Sequence, residues 1–175
     1  VTAENGLVLM QRSFGNTGVT VSAIGLGAGQ IGERDVSEAD AAEVLHTALD
    51  LGVTLIDTAH SYGSSEERIG RHLGGRRSEF VLSTKGGAGV EGHADWSPGA
   101  VRASLEQSLR LTRSERIDVF HLHSCPAEVL RRGELQDVLD AAVAAGTVGI
   151  AAYSGDNAPS RSPRTRAGSG PSRRA

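Results

Sequence analysis

LIDTAHSYGSSEERIGRHL, residues Leu55 to Leu73, runs two aliphatic side chains into Asp57, places Tyr62 five residues later, and then opens a helix at Ser64 with Glu67 three residues on. That is one strand, one polar loop and one capped helix, with ionisable groups gathered where the strand ends. Working outward, further strand candidates are Ala23 to Leu26, Thr54 to Asp57, Glu79 to Thr84, Ile117 to Leu122 and Val148 to Ala152. Helical patterns fill the intervals. Ser37 with Asp40 caps a helix with apolar positions Ala41, Val44, Leu45, Ala48 and Leu49. Ser97 followed by Pro98 opens another that runs to about Leu111, and a fourth covers about Leu135 to Ala145 before Gly146. Alternating strands and helices predict an α/β fold with a parallel sheet. QRSFGNTGVTVS predicts a β-hairpin turning at Asn16 to Gly18, ahead of that sheet.

Five strands of this kind suit either a doubly wound sheet or the first part of a (β/α)8 barrel. GAGQIG, Gly27 to Gly32, fits the GxGxxG dinucleotide pattern. Two features count against that reading. GERDV separates the motif from the Ser37 cap, and Asp57 lies thirty residues beyond Gly27, where the fold asks for an acid about twenty on. Glycines here also serve to let backbone approach a ligand or a neighbouring loop.

The placement of polar residues favours the barrel. Asp57 ends the second strand, Lys85 follows the third (FVLSTKGG) and His123 follows the fourth (IDVFHLHS). Adjacent strands lie about 4.8 Å apart, so the three groups converge at the C-terminal mouth, where barrels place catalysis. Tyr62 can fold over the same mouth. An ordinary phenol, with a pKa near 10, is a poor proton donor. A neighbouring ammonium favours the phenolate, and a carboxylate holds that ammonium charged and in place. Asp57, Lys85 and Tyr62 form such a relay on paper, with His123 placed to donate to a substrate oxygen. The set suits reduction of a carbonyl by hydride from a nicotinamide.

These same residues carry a resemblance. LIDTAHSYGSSEERIG, LSTKGG, RIDVFHLHS and GTVGIAAYSGDN resemble, in order and spacing, the signatures of the aldo/keto reductase superfamily. QRSFGNTGVTVSAIGLG resembles the hairpin and first strand of its bacterial members, and VRASLEQSLR the helix before the fourth strand. The similarity covers about Gln11 to Asn157. It implies a TIM (β/α)8-barrel type, NADPH bound without a dinucleotide-binding domain, and reduction of an aldehyde or ketone. Carried over by position, it implies Asp57, Tyr62, Lys85 and His123 as a catalytic tetrad. It implies cofactor contacts at Gly27, Asp57, Ser154 and Asn157, with Ser154 on the nicotinamide carboxamide. The family's asparagine directly follows that serine, whereas Gly155 and Asp156 intervene here before Asn157. Family members bear an aliphatic residue or glutamine where His121 stands, which implies no catalytic role for it.

Other readings of single residues remain. His121 and His123 share a strand face, which permits a metal site in a barrel hydrolase, with His60, His93 and Cys125 as the nearby further ligands. A non-catalytic, cofactor-holding barrel fragment is the non-enzymatic alternative. His46 and His72 fall on helices as solvated or packed residues. Trp96, after the third strand, suits a pocket wall or a loop anchor, and Cys125 a small buried hydrophobe.

The composition sets the outer limits. The chain has 175 residues and a formal net charge of -3, but its last eighteen residues carry five arginines and no acid. One cysteine excludes an internal disulfide, and no apolar run reaches membrane-spanning length. The expectation is a cytoplasmic protein acting on a small-molecule carbonyl, with no nucleic-acid or membrane partner. Residues 1–10 are expected to be an extension, 11–157 a partial barrel, and 158–175 a disordered Arg/Pro/Ser/Gly tail. That tail text resembles a GC-rich gene read out of frame, with a natural disordered tail as the alternative. By the resemblance, three further strands and the loops that grip the cofactor phosphates do not occur in these 175 residues. The expectation is therefore a truncated form, with self-association through open barrel edges.

Overall fold

The computed structural model describes residues 9–155. A hairpin comes first, β1 (Gln11–Ser13) antiparallel to β2 (Thr20–Ser22), with Gln11 opposite Ser22. Its turn spans Phe14 to Val19, whose N–H and carbonyl close it at 2.8 Å. Gly15 and Gly18 take the positive φ that the reversal requires.

The main body alternates strand and helix: β3 (Leu26–Gly27), α1 (Glu38–Asp50), β4 (Leu55–Asp57), α2 (Ser65–Leu73), β5 (Val81–Gly86), α3 (Pro98–Leu111), β6 (Ile117–His123), the short α4 (Ala127–Leu130), α5 (Glu134–Ala144) and β7 (Val148–Ser154). The five strands β3 to β7 are all parallel and lie in chain order. A doubly wound sheet reverses its strand order at a switch point, whereas a barrel winds onward in one direction. The consecutive order is that of the barrel.

Alternation along each strand separates two faces. Ile56, Leu82, Phe120 and Leu122 are buried in one core with Ala41, Leu45 and Leu49 of α1, Ile69 and Leu73 of α2, Val101 and Leu105 of α3, and Leu135, Val138 and Leu139 of α5. The other face carries Leu55, Asp57, Ser83, Lys85, Val119, His121, His123, Ile150, Ala152 and Ser154. Several of these are only half-buried, because the described strands form an open sheet with β3 and β7 at its edges.

Helix starts follow local chemistry. The Ser37 hydroxyl accepts from the Asp40 N–H at 3.1 Å, and Ser97 does the same for Ala100 with Pro98 in the first turn. α5 ends one residue before Ala145, and Gly146 has φ 79, as its left-handed cap requires. The expected Ser64/Glu67 capping box does not form, since Ser64 makes no side-chain cap. Glu67 pairs instead with Arg71 one turn on. Ser65 takes over the stitching: its hydroxyl accepts from Thr58 Oγ1 at 2.8 Å and donates to the Ala28 carbonyl at 2.6 Å.

The first strand was expected at Ala23 to Leu26 but pairs only at Leu26–Gly27. Ser22 and Thr54 satisfy each other's backbone N–H with their hydroxyls, both at 2.8 Å, so side chains replace the ladder before Leu26. Later strands run further than expected. Lys85, His123 and Ser154 lie within β5, β6 and β7 rather than beyond them. The expected extension up to residue 8, the residues Asp156 and Asn157, and the tail from Ala158 lie outside the described residues.

Candidate active site

Strand register brings the polar residues together. β3 sets Gly27 beside Asp57, β4 sets Asp57 beside Ser83, β5 sets Lys85 beside His121, and β6 sets His123 beside Ser154. Asp57 therefore reaches Lys85 diagonally, across one step of the pleat. Lys85 Nζ lies 2.5 Å from Asp57 Oδ2 and donates to the Thr58 carbonyl at 2.8 Å. Only 7% of the Lys85 side chain is exposed, against 40% of that of Asp57. A buried ammonium persists only when charge-paired and hydrogen-bonded. Lys85 is both, and it is the only lysine in the chain.

Tyr62 closes the group from the β4–α2 loop. Lys85 Nζ sits 5.1 Å from its ring centroid. The Tyr62 and His123 rings meet edge to face at 6.0 Å, 88° apart. Burial lowers the pKa of His123, Lys85 lowers it further, and Asp57 partly opposes both. This favours a neutral imidazole that can donate through one ring N–H. Beside the group an open cleft of about 320 Å³ is lined by Lys85, His123, Trp96, His60, Gly86 and Ser124 among others. Trp96 is both wall and anchor, because its indole N–H donates to the His123 carbonyl at 3.1 Å and its backbone N–H to Gly87 at 2.6 Å.

Gly29 and Gly32 of GAGQIG face the tyrosine loop. A Cβ on Gly29 would touch the Tyr62 ring at 3.5 Å, and one on Gly32 would fall 1.9 Å from the Tyr62 carbonyl oxygen. From the other side, a Cβ on Gly63 would fall 2.3 Å from the Gly32 carbonyl oxygen. At Gly32 and Gly63 two backbones thus meet with no side chain between them, which accounts for the last glycine of the motif without a dinucleotide turn. Arg68 fastens the same segment. Its guanidinium donates to the carbonyls of Ile31, Glu33 and Val36 and pairs with Glu38.

Sequence reasoning missed Ser83, which lies two residues before Lys85 and hence on the same face. Its hydroxyl contacts Asp57 Oδ1 at 2.8 Å and His121 Nε2 at 3.0 Å. Strand alternation in VLSTK was the available signal. Glu66 was also missed. It is 2% exposed, accepts from Thr84 at 2.7 Å, and has its pKa raised by burial. Among the described residues no group of three or more His, Cys, Asp or Glu is placed to hold a metal ion. His60 lines the cleft while Cys125 is buried. His72 contacts Glu38 at 3.1 Å.

A family model described as the Aldo/keto reductase family matches residues 23–161. The chain belongs to the aldo/keto reductases. This aldo/keto reductase chain is 37% identical over 119 residues to L-galactose dehydrogenase of Arabidopsis thaliana, covering 64% of the chain and 37% of that protein. It is 32% identical over 148 residues to 6-dehydroglucose reductase of Novosphingobium aromaticivorans, covering 78% and 48%. A crystal structure of a candidate aldo-keto reductase from Pseudomonas aeruginosa is 36% identical with a TM-score of 0.77, covering 87% of this chain and 62% of that one. The holo form of AKR11C1 from Bacillus halodurans is 25% identical with a TM-score of 0.74, covering 85% and 51%. The chain thus spans less than half the length of these two curated relatives. The fold is the N-terminal portion of the aldo/keto reductase barrel, and no described helix is long and apolar enough to cross a membrane.

Proposed function

We propose that these residues reduce a small aldehyde or ketone to the alcohol, with NADPH as hydride donor and Tyr62 as proton donor. One observation supports this above the others: the buried Lys85 ammonium is held by Asp57 and stands 5.1 Å from the Tyr62 ring centroid, at the edge of an open cleft. Oxidoreductase names among the relatives support the reaction class.

The strand ends suit a nicotinamide. No heavy atom lies within 4 Å of where a Cβ on Gly27 would stand, so backbone there is open to a flat ring. Ser154, beside His123 in register, offers a hydroxyl for a carboxamide. When bound, the cofactor supplies hydride to the carbonyl carbon. The His123 N–H orients the carbonyl oxygen, and Tyr62 gives that oxygen its proton. Lys85 stabilises the phenolate left behind, and Asp57 keeps Lys85 charged. Hydride and proton together convert C=O to CH–OH, and the phenol is restored from solvent. We place the protein in the cytoplasm, with a small-molecule partner and neither nucleic acid nor membrane.

The test is Tyr62→Phe in a closed eight-stranded barrel carrying these residues. Reduction is expected to fall by about 10²-fold or more, with NADPH affinity held within about threefold. Reduction that falls by less than about threefold would assign the proton to another donor.

A further inference from the structure

Asp57, the carboxylate behind Lys85, has two oxygens and both are engaged. Lys85 Nζ takes Oδ2, and Ser83 Oγ takes Oδ1 at 2.8 Å. Ser83 Oγ has a second neighbour, His121 Nε2, at 3.0 Å. A hydroxyl has one hydrogen to give, and a carboxylate paired with an ammonium can only accept. The Ser83 hydrogen therefore points to Asp57. Were it turned to the imidazole, two oxygen lone pairs would face each other at 2.8 Å. Ser83 must then accept from His121, which fixes the proton of that imidazole on Nε2.

The surroundings favour a neutral His121 with one N–H to place. Burial lowers its pKa first. Lys85 on β5 and His123 on its own strand push the same way, while the Tyr153 backbone on β7 and Asp57 on β4 oppose them. In a neutral imidazole the tautomer follows the hydrogen bonds around the ring. The Tyr153 backbone competes for the N–H, but the buried Nδ1 has no hydrogen bond of good geometry, whereas Nε2 lies 3.0 Å from Ser83 Oγ.

We infer that His121 is a positioning residue: its Nε2–H donates to Ser83, Ser83 donates to Asp57, and this directed chain holds the carboxylate against Lys85. An aliphatic residue at 121 leaves the Ser83 hydroxyl free to turn and Asp57 freer to leave for solvent. The role rests on reading Asp57 and Lys85 as the pair behind the proton donor, but its test needs no turnover.

The test uses ¹⁵N-labelled 175-residue chain in two NMR measurements. The His121 ring signals are identified as those lost in His121→Gln. In the wild type, the protonated nitrogen is expected to be Nε2, recognised by two-bond couplings to both ring carbon-bound protons. A protonated Nδ1 with bare Nε2 overturns the chain's direction. The second measurement follows hydrogen exchange of the Lys85 ammonium, unambiguous because there is one lysine. His121→Leu is expected to speed exchange about five- to tenfold, the worth of one ordinary hydrogen bond. His121→Gln, whose amide can still donate, is expected to stay within about twofold of wild type. Equal exchange in all three overturns the positioning role even if the tautomer is as inferred. If His121→Leu does not fold, His121→Ala, which also lacks a donor, takes its place with the same acceleration of about five- to tenfold expected, and exchange equal to wild type in that variant overturns the role. Failure of Tyr62→Phe to slow reduction would refute the proposed reaction and leave these signals unchanged.

Discussion

Gly32→Ala adds one methyl where, among the described glycines, a Cβ would come nearest to another atom. The new Cβ would lie 1.9 Å from the Tyr62 carbonyl oxygen, 2.9 Å from its carbonyl carbon and 3.0 Å from the Ser65 nitrogen, where ordinary contact begins at 3.4 Å. The segments must part by about 1.5 Å, and no flexible side chain can absorb it, because the obstructing atoms are backbone. Parting them also strains the Ser64 N–H bond to the Gly32 carbonyl, now 3.1 Å. Overpacking costs about 1–3 kcal/mol and a lost hydrogen bond about 1 kcal/mol, so a loss of about 3 kcal/mol is expected. The assay is urea unfolding followed by fluorescence of Trp96, the only tryptophan. Gly75→Ala serves as control, since its Cβ would meet nothing within 4 Å and its backbone lies outside the left-handed region. It is expected to fall within about 0.5 kcal/mol of wild type. In a closed barrel, Gly32→Ala is also expected to cost about 10²-fold in turnover, the usual penalty for misplacing a reacting group by about 1 Å. If the two variants unfold at the same urea concentration, the account of the glycine motif is wrong.

Two carboxylates give opposite pH dependences. The Glu66 carboxyl has its folded pKa raised by burial, so its contribution is intact below about 4.5 and is lost as pH rises through the folded value. Glu66→Gln is expected to gain on wild type with rising pH, and parallel stability curves between pH 4 and 8 would count against it. Glu38, held at about 2 by hydrogen bonding to Arg68 with help from His72 and Arg71, contributes above about 4.5 and loses that as pH falls towards 2. Glu38→Gln is expected to narrow its deficit over that acid window, and an unchanged gap would show the pairing to be inert. The purified 175-residue chain is expected to self-associate through the edges at β3 and β7 and to turn over no aldehyde. Sedimentation and a fluorescence titration with NADPH check this, and a monomer that binds micromolar cofactor and turns over would refute it.

The residues at the strand ends were legible because each sets an ionisable group at the C-terminal end of a β-rich run: Asp57 after Leu55 and Ile56, Lys85 at the end of FVLSTK, His123 at the end of IDVFHLH. The hairpin and the caps at Ser37 and Ser97 were legible because turns and helix starts are local chemistry. The Ser64 cap misled, since Ser65 beside it has long-range partners at Thr58 and Ala28 that no local rule contains. The first strand was misplaced for the same reason, through the exchange between Ser22 and Thr54. The work of Gly32 was unreadable, because it depends on a backbone thirty residues away. His121 was set aside on resemblance alone, while its contact with Ser83 comes from register between two strands.

The diagonal pair of Asp57 and Lys85 also bears on how the chain finds its fold. A parallel strand that slips by one residue turns every side chain to the opposite face. For β5 such a slip would drive the Lys85 ammonium towards the apolar layer now occupied by Leu82 and Phe120, and would leave Asp57 without its partner. An unpaired charge in that layer costs far more than the misplaced apolar groups around it. A slipped sheet is therefore disfavoured energetically, so the groups proposed for proton transfer also help to fix the strand register.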